Sequence, residues 1–168
     1  MSTTSQSPSA QIEAIHLADA AVGPPRAVPQ ATAIPGRGLV GDRYERGLGT
    51  FSDWPKDHEL TLVEAEVIEA LAREHDVNFA PGETRRNLTT RDVRLNDLVG
   101  RRFRIGPDVE CIGTRRCEPC DHLERVTARP NLCRVMAGRG GLRARILTAG
   151  TIRVGDPITV TPTPTEDD

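Results

Sequence analysis

The residues with the greatest chemical capacity lie between Glu110 and Cys133. Cys111, Cys117, Cys120 and Cys133 all fall here, and Arg115 and Arg116 stand directly before Cys117-Glu118-Pro119-Cys120. A thiolate is a nucleophile and a soft metal ligand. Pro119 suits the first turn of a helix, and Leu123 and Val126 give that helix an apolar side. Cys120 is then expected in the first turn, where unpaired N–H groups and the macrodipole favour the thiolate. Arg115 and Arg116 act in the same sense; Glu118 and Asp121 oppose them. From the residues alone, three other readings stay open. Cys117 and Cys120 could be half of a zinc site completed by His122 or Cys133, although a second well-spaced pair is missing. They could be a thioredoxin-like dithiol, which needs βαβ units where the flanks read as consecutive strands. They could also be small buried apolar residues, a description that suits Cys111 best and Cys133 next.

At 168 residues with 37% apolar content, the chain is expected to form one domain over 11–160. Residues 1–10 read as a disordered leader and 161–168 as a disordered tail. No run approaches the ~18 apolar residues of a membrane helix, and the first residues do not resemble a secretory signal. Four cysteines in that context point to a reducing, cytoplasmic setting. Net charge is −2, but Arg85 to Arg145 holds 15 arginines against 7 acids. Such a segment suits an anionic ligand, most simply a phosphate. Nucleic acid is disfavoured, because Phe103 is the segment's one aromatic. Lys56 is the single lysine and sits in a loop-like setting, so covalent pyridoxal phosphate is not expected.

The elements that must position these residues are mainly strands. Gln11–Leu17 and Ala31–Ile34 alternate as strands, with His16 read as a surface residue and Gly23–Arg26 as a turn. Thr61–His75 reads as a helix with a Thr61/Glu64 capping box. Asn87–Arg91 is strand-like. Arg101–Ile105 with Val109–Ile112, and Leu142–Leu147 with Thr151–Val154, read as two hairpins, followed by Ile158–Val160. The irregular stretch from Gly41 to His58 carries Tyr44, Phe51 and Trp54. It reads equally as a lid over a ligand or as the plug of a satellite core.

The ordered set Asn87-Leu, Arg116-Cys-Glu-Pro-Cys120, Gly140-Gly141-Leu and Gly150-Thr-Ile-Arg-Val-Gly-Asp-Pro157 resembles the MOSC domain, the C-terminal domain of molybdenum-cofactor sulfurases. The likeness runs upstream to Gly41-Asp-Arg43. It implies a mainly β (α+β) fold, a closed β-barrel with a few peripheral helices, that binds a molybdenum–pterin cofactor (molybdopterin). It is similar to amidoxime-reducing members, which implies molybdenum ligation by Cys120 and cofactor contacts from Arg85 and Asn87, with Arg43, Arg116 and Cys117 assisting. The implied activity is reduction of small N-oxygenated compounds with electrons from a separate reductase. The alternative is a non-catalytic cofactor carrier or sulfur relay, with Cys120 taking a persulfide from a cysteine desulfurase.

Overall fold

The structure is a computed structural model that describes residues 9–49 and 59–162. The chain runs β1 (Gln11–Ala18), β2 (Pro25–Val28), β3 (Gln30–Ile34), β4 (Gly38–Leu39), β5 (Leu60–Glu64), α1 (Ala65–His75) and β6 (Leu88–Arg91). A 3-10 turn at Leu95–Leu98 follows, then β7 (Arg102–Ile105), β8 (Val109–Arg116), α2 (Asp121–Thr127), α3 (Leu132–Val135), β9 (Leu142–Ile146), β10 (Gly150–Arg153) and β11 (Ile158–Val160). Eight strands form one sheet in the order β11-β7-β8-β9-β5-β6-β1-β2, and β10, β3 and β4 form a second. β5 and β6 are parallel, with α1 as their crossover. This βαβ unit does not carry the cysteines, whose flanking strands β8 and β9 are antiparallel.

The large sheet curls through 227° and stops with its edges 18 Å apart. The closed barrel expected from the sequence is therefore corrected to an open half-barrel with peripheral helices. Its two edge strands are short and bordered by proline. β2 has four residues, opens with Pro25 and is followed by Pro29; β11 has three and is preceded by Pro157. Proline has no N–H to offer a further ladder. At Pro29 the chain turns away into β3, which pairs with β10 with Ala33 opposite Gly150. The expected hairpin between β9 and β10 is thus absent, and Gly150 begins a strand of the second sheet.

Period-two alternation builds the core. Ile15, Leu88, Leu62 and Leu142 lie in one register row across β1, β6, β5 and β9, each at most 1% exposed. Their neighbours His16, Thr61 and Arg143 project from the opposite face. That face carries the candidate site. α1 starts at Ala65, four residues later than expected, because Leu62 and Val63 are fully buried in β5 and the Thr61 hydroxyl bonds Asn87 rather than capping a helix. The N-cap position falls to Glu64, which makes no side-chain cap bond. Val67 and Leu71 of α1 pack with Leu123, Leu132 and Met136 in a second apolar cluster that fixes α2 and the residues around α3.

Candidate cysteine and arginine site

Cys117 follows directly on β8, and Cys120 is the N-cap residue of α2, extended at φ −136° and ψ 170°. Its carbonyl accepts the Glu124 N–H at 3.2 Å. The helix begins at Asp121, two residues after the Pro119 expected in its first turn, so Cys120 precedes the first turn instead of lying in it. The Cys117 N–H donates to Gly141 O at 2.8 Å. A Cβ on Gly140 would lie 2.4 Å from Cys117 O, and one on Gly141, at φ 119°, would lie 2.0 Å from Leu62 O. Only glycine permits this approach of loop to strand. Arg86, which is buried, closes the arrangement: Nε donates to Gly140 O at 2.9 Å, Nη2 to Cys117 O at 3.0 Å and Nη1 to Thr84 O at 3.2 Å.

Two further arginines reach the same place from distant segments. Arg43 is buried, pairs with Asp42 at 3.2 Å and donates to Arg85 O at 3.2 Å, while its guanidinium lies 4.6 Å over the Tyr44 ring. Arg85 adopts φ 66° and donates to the carbonyls of Gly23, Ala20 and Ala21. Burial, and next the charge of Arg43, pull the Arg85 pKa down. His122 is lowered by burial first and then by Arg125, Arg85 and Arg43. Arginine side chains thus outnumber acidic ones in this region, with Asp42 paired to Arg43.

Cys117, Cys120 and His122 line one cleft with Arg43, Arg85, Arg86 and Arg143, a cavity of about 50 Å3 that opens to solvent. The one acid in the wall, Glu118, accepts the Gly138 N–H at 3.1 Å. Of the residues singled out in the sequence, Cys117, Cys120, Arg43 and Arg85 are brought together here. Asn87 lies beneath, 2% exposed, with its amide bonded to Thr61 and to His16 O. Arg116, at the end of β8 past a bulge, is exposed and does not line the cleft. Tyr44 is buried in the cleft wall; Phe51 and Trp54, the other aromatics of the expected lid, lie outside the described residues. Sequence reasoning missed Arg86 and Arg143. For Arg143 the signal was present: Leu142, Ala144 and Ile146 alternate inward, which turns Arg143 outward.

The remaining cysteines have other surroundings. Cys111 is fully buried in the core, and burial pushes its pKa up to about 12. Cys133 is half-buried, and its pKa is pushed up to about 11 by burial and then by Glu124 and Asp121. The ligand atoms of Asp121, Glu124 and Cys133 lie within 4.8 Å of one another, a potential metal-binding group between α2 and α3. Among the described residues this is the one such group of three, and it contains neither Cys117 nor Cys120, the pair at the centre of the zinc site considered from spacing with His122 or Cys133. No helix among the described residues is long and apolar enough to cross a membrane.

The model of the MOSC domain family matches residues 15–159. Solved structures share the architecture. The YUAD protein from Bacillus subtilis superposes with a TM-score of 0.74 at 19% identity, covering 91% of this chain and 96% of that one. YiiM from Geobacillus stearothermophilus gives 0.69 at 17%, covering 94% and 77%. YiiM from Escherichia coli gives 0.67 at 18%, covering 91% and 70%. At these identities the likeness is one of fold. No protein of curated description matches by sequence.

Proposed function

The chain belongs to the MOSC domain family, and from that premise we propose that it holds a molybdenum–pterin cofactor in the Cys120 cleft and reduces small N-oxygenated compounds. The observation that carries this reading is a half-buried thiol in a cleft walled by four arginines and one already-engaged acid. The donor set fits such a group. A thiolate is a soft ligand for a redox-active metal, and a positive field suits a pterin phosphate. Each guanidinium has five N–H donors, more than the contacts of Arg43 and Arg85 consume.

Cys120 would ligate the metal, and Arg43, Arg85 and Arg143 would face the anionic end. Cys117 and Asn87 would act as positioning residues, through the backbone at Cys117 and the buried amide of Asn87. Bound there, the cofactor supplies the electron pair for N–O cleavage: an N-hydroxyl compound takes two electrons and two protons and leaves as the amine and water. The chain binds and orients the substrate, with His122 and Tyr44 as proton-bearing groups in the wall. Electrons must come from a partner reductase.

The test is metal analysis of protein made in a molybdenum-replete host, followed by turnover of an N-hydroxylated substrate with a chemical electron donor. Cys120→Ser is expected to lose molybdenum with its circular dichroism unchanged. Metal-replete protein that gives no turnover, yet gains a persulfide on Cys120 after incubation with a cysteine desulfurase, would replace this reading with that of a sulfur relay.

A further inference from the structure

The strands that run into the cysteine cleft carry a second set of arginines. On β7, Arg102 and Arg104 alternate outward against buried Phe103 and Ile105. On β9, Arg143 and Arg145 alternate against buried Leu142, Ala144 and Ile146. Cross-strand register puts them on one face. Arg102 lies opposite Ile112 of β8, and Ile112 opposite Arg145; Arg104 lies opposite Glu110, and Arg115 opposite Arg143. Arg143 also lines the cysteine cleft, so the face starts at the cleft's rim. Ile112 is one strand and one side-chain row from Arg143, on the order of 8 Å by sheet spacing.

The face has the make-up of a protein interface. A groove of about 440 Å3 opens on it, lined by Ile112 with Arg101, Arg102 and Glu110. An apolar centre within an arginine-rich rim is the usual anatomy of such contacts. Arg101, Arg102, Arg104, Arg115, Arg143 and Arg145 stand here against two acids. Glu110 lies 3.7 Å from Arg102 and Glu59 3.7 Å from Arg145, yet these two arginine side chains stay 63% and 62% exposed. The surplus suits an acidic partner. Ile112 and the two acids interrupt the rows that a phosphate backbone would follow, so a protein fits this face better than a nucleic acid.

We propose that this face of β7, β8 and β9 docks an acidic one-electron carrier protein and sets its redox group beside the Cys120 cleft. Two encounters give the two electrons that N–O cleavage takes, and water supplies the two protons. The assignment rests on the reductase reading of the cleft, which needs a donor from outside the chain.

The probe is a plant-type 2Fe–2S ferredoxin, an acidic one-electron carrier. Its binding, in the oxidised form, to protein from a molybdenum-replete host is measured calorimetrically at low and at high salt. A one-to-one complex is expected, weakening as salt rises. Arg102→Glu and Arg104→Glu should each weaken it roughly tenfold, with metal content and turnover from a chemical donor unchanged. Arg73→Glu, on α1 where the side chain is 70% exposed, makes the same change in net charge. It should weaken the complex less than about twofold. Should a reversal fold poorly, Arg104→Ser gives a smaller loss in the same direction. No complex at low salt, or reversals no more harmful than Arg73→Glu, overturns the docking face. Self-association, or binding of a DNA duplex, that the same reversals abolish gives the face to a second copy or to nucleic acid and overturns it as well. Failure of the proposed activity looks different: a ferredoxin complex lost on reversal, with no turnover from either donor, keeps the face and removes the reduction.

Discussion

Asn87 and His16 are both buried polar residues beneath the cleft, and their hydrogen bonding sets them apart. The Asn87 carboxamide oxygen accepts from the Thr61 N–H and hydroxyl at 3.3 and 3.2 Å, and its amide donates to His16 O at 3.3 Å. Replacing Asn87 with Ala strands these groups. We expect a loss of about 2–3 kcal/mol in urea denaturation, with retention of the proposed cofactor falling as a consequence. Neither ring nitrogen of His16 has a hydrogen-bond partner among the described residues, and the space it borders is shared with Arg43, Arg85 and Arg86. Burial lowers its pKa below the usual 6.5. As pH falls, the unfolded chain takes up a proton before the folded one, so this contribution is intact above pH ~6.5 and is lost as pH drops toward the folded pKa. His16→Leu should flatten that part of the stability profile without loss at neutral pH, as read from urea midpoints across the range. Local alternation identified the strand bearing His16. It could not show that the 82–86 segment and Arg43 cover that face, and so His16 reads from sequence as a surface residue.

At the scale of elements, the cysteine segment is held by a clamp that runs between loops. Arg86 ties Cys117 O to Gly140 O, and the two glycines let those loops meet. Arg86→Met removes three bonds from a charged donor. It should lower stability by about 3 kcal/mol and hasten alkylation of Cys120, measured by mass spectrometry. Arg86→Lys keeps the charge but not the planar fork, and should recover a minor part of both. Most strands were legible, because alternation is a local pattern. Their partners were not: nothing within Thr151–Arg153 reveals that β10 pairs with β3 and not with β9. Thr61 misled for a related reason. Thr61 and Glu64 have capping-box spacing, but Leu62 and Val63 gain more by completing β5 against β6 and β9 than by starting a helix.

For the molecule as a whole, the division of charge in the sequence has a partly internal explanation. Arginines of the basic segment meet acids of the remainder: Arg91 pairs with Glu13 and Glu69, Arg129 with Glu83, Arg139 with Glu74 and Arg145 with Glu59. The cleft keeps the positive surplus that matters for a ligand. Exposed pairs contribute about 0–1 kcal/mol each, so molar sodium chloride should change the unfolding free energy by less than about 2 kcal/mol. It should still weaken anion binding in the cleft, as followed by release of the proposed cofactor. The domain's closure was the least legible property. It depends on which short, proline-bordered strands end the sheet, and no local window of sequence contains both edges.

Because β5 lies between β6 and β9, Leu62 must find Leu142, nearly half the chain away, before the sheet is continuous. Pairings so distant in sequence slow folding, since the loop entropy is lost before the contacts compensate for it. Thr61, Arg85, Cys117 and Arg143 form walls of one cleft only when that pairing is complete. A nascent chain still lacking β9 therefore carries every cysteine of the site but not the complete cleft, so a ligand of this cleft can be taken up only after β5 has paired with β9.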